Sequence, residues 1–264
     1  MQQALGYLGK SVVAFAMAML FAGGALAAGV VQSMKGDVKA GPVGQTARTV
    51  AVDQRLTPGT AVVTGADAQA VLRFDDGQQV VLNQNTEFRI VDFRYESSDS
   101  NVDRTVFDLI KGALRMASGA IVGRNRQVVA LRTPQATIGI RGTDFMVALV
   151  NPAYISVLQG AVTATNAAGT VAFGAGTFGT VATSAALATA IPASALPAAA
   201  SAAFSSMSAA AGVAAAGAAS EGAAGTAGAA GGTTAGTAAT VGAAAAAAAG
   251  AAAASRSTST TTHH

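Results

Sequence analysis

Residues 110–116 read Ile110-Lys111-Gly112-Ala113-Leu114-Arg115-Met116, and the same frame occurs twice more, as Met34-Lys35-Gly36-Asp37-Val38-Lys39-Ala40 and as Leu158-Gln159-Gly160-Ala161-Val162-Thr163-Ala164. Each is an apolar residue, then Lys or Gln, then Gly, then any residue, then apolar–any–apolar. A glycine fixed inside a strand pattern marks a bulge or a close backbone approach. Its recurrence implies a strand–bend–strand unit, and hence wound or stacked β-layers such as a short β-solenoid or prism. The glycines stand at 36, 112 and 160, so the spacing is not a strict period. A sandwich with recurrent glycine bulges is the simpler form of the same all-β expectation.

The surrounding chain agrees. AVVTGAD (61–67), QAVLRF (69–74) and QVVLNQNTEFRIVDF (79–93) are β-branched runs with partial alternation. Between two of them, Asp75-Asp76-Gly77 supplies the Asp-Gly of a tight hairpin, which assigns its carboxylates to turn formation.

Composition divides the chain in three. Lys10 is followed by an uncharged run from Ser11 to Ala28, and Ala25-Leu26-Ala27 offers small residues for cleavage after Ala27. Residues 1–27 therefore read as a signal peptide. The strongly apolar part is short and ends in Gly23-Gly24, which predicts no stable membrane span after cleavage. Residues 29–183 hold nearly all the charge and form the expected all-β domain. Residues 184–264 are an Ala/Gly/Ser/Thr-rich low-complexity tail whose charges are Glu221 and Arg256. Short helices are expected in it at 184–190 and, after Pro197, at 198–207. Little apolar area is expected to dock on the domain.

Net charge is +3 from 16 basic and 13 acidic residues. Without Lys10, Arg256 and Glu221 the domain has 14 and 12, a balance of +2. No basic run interleaved with aromatics exists, so nucleic acid is not an expected partner. The chain has no Cys, and its two His are His263 and His264. That removes the common nucleophile–base triads and His-based metal sites, and no cofactor is expected. Asp144, Glu87 and Asp92 could form a carboxylate pair only without any supporting spacing, so an enzyme is not expected. Asp99-Ser100-Asn101-Val102-Asp103 opens like a calcium loop, but Arg104 stands where such a loop wants Gly, and a polar hairpin loop is the plainer reading.

One further stretch, Leu131–Phe145, reads LRTPQATIGIRGTDF. Thr133-Pro134 ends a strand, because Pro removes a ladder donor and constrains its predecessor. Gly139 and Gly142 relieve crowding. Arg141 and Asp144 are expected to pair and brace a bend, with a ligand site at Arg141, Thr143 and Asp144 as the alternative.

This block resembles the FecR domain family, together with FDLIKGALRMASGAI before it, AVVTGADAQAVLRFDDGQQVVLNQNTEFRI further upstream and VLQGAVT after it. The similarity runs from about Thr57 to about Gly176. It implies an extracytoplasmic all-β domain. In regulatory members that domain relays a signal from an outer-membrane receptor to a sigma factor, behind a cytoplasmic anti-sigma domain and a membrane helix. Only ten residues precede the hydrophobic segment here, which leaves no room for that domain. The resemblance therefore implies a periplasmic or secreted, non-enzymatic binding module whose partner is an envelope protein or surface ligand. A structural surface protein that self-assembles through its β-domain is the second expectation.

Overall fold

The structure is a computed structural model that describes residues 28–125 and 127–221. The signal-peptide reading of 1–27 and most of the low-complexity tail lie outside the described residues. Among the described residues seventeen strands form two facing sheets, here front and back, that share one long strand.

The glycine frames mark where the chain passes between the sheets. β1 (Gly29–Lys35) lies in the front sheet, and after Gly36 the chain enters the back sheet as β2 (Val38–Pro42). Two short strands follow, β3 (Arg48–Thr49) in the back and β4 (Arg55–Leu56) in the front. β5 (Thr60–Thr64) is in the back, β6 (Gln69–Phe74) and β7 (Gln79–Leu82) in the front, and β8 (Glu87–Arg94) in the back again. β9 (Arg104–Ala117) belongs to both. Its first half pairs with β8 and, in parallel, with β10 (Val129–Arg132), and its second half pairs with β7 and β12 (Asp144–Leu149). Gly112 sits at the change. β11 (Thr137–Ile140) is in the back. β13 (Ala153–Gln159) is in the front, and Gly160 turns the chain into β14 (Ala161–Asn166) in the back. β15 (Gly169–Gly174) stays in the back, while β16 (Phe178–Val181) and β17 (Thr189–Ile191) return to the front.

The front order is therefore β4-β1-β6-β7-β9-β12-β13-β16-β17, and the back order β3-β2-β5-β8-β9-β10-β11-β14-β15. The wound β-layers expected from the glycine frames are what the chain forms. Alternate residues of both sheets point inward and make one core, in which Phe74 and Phe88 both lie against Phe107, with ring centroids 4.8 and 5.0 Å away.

The three frame glycines have φ of +74° (Gly36), +86° (Gly112) and +72° (Gly160), a region that disfavours side chains. A Cβ on Gly112 would stand 2.5 Å from the Thr86 Cα, and one on Gly160 would enter the carbonyl of Gly142. Where the sheets part, buried threonines replace the missing ladder bonds. Thr86 Oγ1 accepts from the Ala113 N–H at 3.1 Å, and the Thr86 N–H donates to Thr64 Oγ1 at 2.9 Å.

Two short elements close the body. Helix α1 (Ala120–Arg124) sits between β9 and β10. Its Ala120 N–H donates to the Asp76 carbonyl at 2.9 Å, and Arg124 reaches back to the fully buried Asp103 carboxylate at 2.7 Å. Helix α2 (Ala198–Glu221) lies on the outer face of the front sheet.

The tail departs from expectation here. Residues 184–190 are not helical: they form a turn and the start of β17. The expected helix after Pro197 exists but runs to Glu221. It also docks, because Ala200, Phe204 and Met207 share one face of the helix and are buried against Val71, Val81, Ala113, Met146 and Ala148. An Ala-rich segment needs few large side chains to seat it, and Phe204 and Met207 suffice.

Candidate binding surface

Thr133 and Pro134 end β10 as read: the Thr133 N–H and Oγ1 both bond the Ala136 carbonyl, and β11 begins three residues after Pro134. Gly139 is constrained by a side chain, since a Cβ there would lie 2.6 Å from Thr163 Oγ1. Gly142 has φ +75° but open space around it, the nearest atom being Val122 Cγ1 at 4.0 Å. The close approach expected at Gly142 occurs instead at Gly160, which packs on Gly142's carbonyl.

The expected Arg141–Asp144 pair is corrected. Asp144 takes a two-pronged contact from Arg115, with Nε to Oδ1 at 2.9 Å and Nη2 to Oδ2 at 2.6 Å. Arg115 and Asp144 belong to adjacent antiparallel strands, with Asp144 opposite Ala117 and Met146 opposite Arg115. Both side chains project from the front sheet. Arg141 lies beyond the bend at Gly142, is exposed, and has no ion pair among the described residues. Spacing of three residues across a positive-φ glycine does not bring the two side chains to the same face. Thr143 is buried, its N–H donating to Ser118 Oγ at 2.8 Å. Arg141, Thr143 and Asp144 therefore do not converge.

What converges lies along α2. One cleft of about 480 Å³ runs between α2 and the front sheet, floored by Gln79, Val81, Arg115 and Asp144 and walled by Ser208 and Ala211. On the opposite flank a cleft of about 830 Å³ is lined by Lys35, Asp67, Gln69, Asn83, Asn85 and Ser206, among others. There Asn83 Oδ1 accepts from Gln69 Nε2 at 3.2 Å and from Ser206 Oγ at 3.0 Å. Residues of β1, β6, β9 and β12 that are far apart in sequence thus line neighbouring sites, and the signal that could have found them is the Phe204/Met207 spacing in the tail.

The carboxylates considered for catalysis are each engaged by arginine: Glu87 by Arg89 at 2.6 Å, Asp92 by Arg94 and Arg104 at 3.3 and 3.1 Å, and Asp144 by Arg115. Asp144 holds the Arg115 guanidinium above its ordinary pKa through the shared hydrogen bonds. Of the calcium candidates, Asp99 accepts from the Asn101 N–H at 2.9 Å, while Asp103 points inward to Arg124. No cluster of three or more His, Cys, Asp or Glu suited to a metal occurs among the described residues. No described helix is long and apolar enough to cross a membrane.

Two sheets wound about a shared strand, with glycine crossings and a β10–β11–β12 block carrying TPQATIGIRGTDF, define the class of this domain. Residues 60–163 match the family model described as FecR protein. No curated protein matches the sequence. Two crystal structures, both described as a candidate anti-sigma factor from Parabacteroides distasonis, are similar at 15% and 16% identity with TM-scores of 0.40 and 0.39. Each alignment covers 50% of this chain and 58% of that chain, so this chain spans little more than half the length of either.

Proposed function

We propose that this chain is an exported, non-enzymatic binding module that docks an envelope protein through its FecR domain. The match over residues 60–163 carries the reading. Supporting it, Glu87, Asp92 and Asp144 are occupied by arginine partners, while Arg141 is an exposed cation within the block most characteristic of the domain. A rim charge of this kind steers and selects a protein partner. The uncharged run before Ala28 supports export to the periplasm or beyond.

The test is capture from an envelope extract on immobilised protein, with Arg141→Ala and heat-unfolded protein as controls. A discrete partner retained by the native protein and weakened at least several-fold by R141A is the expected result. Equal recovery on unfolded protein, or none on native protein, would count against the reading. Cell fractionation with N-terminal sequencing checks export: the expected start is Ala28.

A further inference from the structure

Among the described residues each sheet ends in two edge strands. In the front sheet they are β4, two residues long, and β17, three residues long and closed by Pro192. In the back sheet they are β3, two residues long, and β15, six residues long. Short strands and proline are ways of blunting an edge against pairing with another chain, and charge is a third. β15 has none of these. Its sequence is Gly169-Thr170-Val171-Ala172-Phe173-Gly174, and no Asp, Glu, Lys, Arg or His occurs anywhere from Phe145 to Ser220. Its strand partner among the described residues is β14 alone, opposite Gly174 to Gly169. The loop that approaches it, through Leu187 beside Gly169, stands at one end. Thr170, Ala172 and Gly174 are exposed.

We infer that β15 is a self-association edge, on which a second copy of this chain adds its own β15 in antiparallel register to form a two-fold dimer. The occupant follows from the strand's own pattern. With Ala172 opposite Ala172 of the partner subunit, Thr170 faces Gly174 of the partner subunit, and Val171 faces Phe173 of the partner subunit. The last is an aromatic–β-branched pair on the core side of the sheet, a combination favourable across antiparallel strands. Small residues on the outer side admit close approach, and no like charges oppose one another. A neutral edge with no charged side chain has nothing with which to select a charged foreign strand. The pairing is isologous, so each copy spends its one long edge and the assembly closes at two. Open edge-to-edge growth would need a second unguarded edge, and β3, β4 and β17 do not supply one.

Because the chain has no Cys, single cysteines report this register directly. The full protein is examined by sedimentation over a wide concentration range, beside Ala172→Lys, Ala172→Cys and Thr170→Cys. The wild type is expected as a monomer–dimer equilibrium. A172K, at an exposed position and with unchanged thermal unfolding, is expected to weaken the dimer more than tenfold. A172C is expected to form a disulfide-linked dimer under mild oxidation, since facing Cβ atoms in a sheet lie about 4.5–5.5 Å apart. T170C is expected to stay reduced, because four residues of offset separate its copies by roughly 13 Å along the strand. A wild type that is monomeric throughout, that grows into large polymers, or whose dimer is indifferent to A172K would overturn the proposal. So would cross-linking of T170C as efficient as that of A172C. Partner capture is read separately, so a monomer would leave the FecR-domain reading standing.

Discussion

The bends at Gly36 and Gly160 carry the chain between the same two sheets at nearly the same φ, +74° and +72°, in opposite chemical surroundings. Beside Gly36, Asp37 pairs with Lys39 at 2.8 Å, and the nearby edges β3 and β4 carry Arg48 and Arg55. The strands that flank Gly160 carry no charge of their own: β13 to β17 hold no Asp, Glu, Lys, Arg or His, and the nearest charges come from the start of β12 and the segment before it, where Asp144 stands opposite Gln159 and the Arg141 N–H donates to the Ala161 carbonyl at 3.2 Å. The bend is therefore a backbone device, indifferent to charge. Charge decides instead how each wing treats its edges. The N-terminal wing guards them with short strands and cations. The C-terminal wing guards its front edge with brevity and Pro192 and leaves β15 open.

The largest expected effect tests whether the bends are equivalent. Gly112→Ala and Gly160→Ala place a methyl into backbone as well as straining φ, and each is expected to lose more than about 3 kcal/mol or fail to fold. Gly36→Ala meets Ala68 Cα only at 3.0 Å and should cost about 1–2 kcal/mol, the left-handed strain plus a small shift. Urea unfolding of the three variants checks the order. Equal losses would mean that φ alone, and not the crossing backbone, sets the cost.

Second comes the cover on the front sheet. Phe204→Ala removes the largest buried side chain of α2, and about 2–4 kcal/mol of stability is expected to go with it. If unfolding is unchanged, α2 sits on the body without stabilising it, as an Ala/Gly tail would.

Third is the corrected ion pair. Arg115 and Asp144 are each about one-fifth exposed, 21% and 19%, so removing either leaves a half-buried charge. Arg115→Ala and Asp144→Ala should each cost about 1–3 kcal/mol, and the double variant less than their sum. Arg141→Ala should stay within about 0.5 kcal/mol. An additive cycle would show that the two strands need no brace.

How far the sequence could be read follows from which interactions are local. The bends were legible because a positive-φ glycine between strands leaves a local signature, and so was the Thr133–Pro134 stop. The block Leu131–Phe145 carried the family resemblance even though its internal pairing was misassigned. Arg141 and Asp144 are close in sequence, but the partner that Asp144 takes comes from β9, 29 residues earlier. Cross-strand partners depend on register, which a single sequence does not display. The docking of α2 was hidden for a related reason: two large residues in an Ala-rich run declare a face only once a matching apolar patch on the sheet is known.

The smallest effect expected is one of pH, and it belongs to the N-terminal wing, since β13 to β17 hold no carboxylate or histidine side chain. Asp76, in the β6–β7 hairpin, is 6% exposed. Its Oδ1 accepts from the Gln78 N–H at 2.9 Å, yet Oδ2 has no hydrogen-bond partner among the described residues. Burial raises its pKa above the ordinary 3.8, and the nearby Asp103 carboxylate adds to the rise, while the backbone bonds from Gln78 and at Ile121 oppose it. The folded state therefore holds this proton more tightly than the unfolded state. Its contribution to stability is fully present below about 3.8 and is lost as pH rises through the folded value. Asp76→Asn keeps the acceptor for Gln78 and has no charge to bury. The stability of D76N relative to the wild type should therefore rise from acid toward neutral pH, and level off above the folded value of Asp76. The comparison is differential because other carboxylates titrate over the same range and cancel between the two proteins. Urea midpoints measured for both from about pH 3 to pH 8 supply it. A difference that is flat with pH would mean the Asp76 carboxylate is solvated as well in the fold as outside it. A difference of opposite sign would mean that the N–H groups around α1 stabilise its charge by more than burial costs.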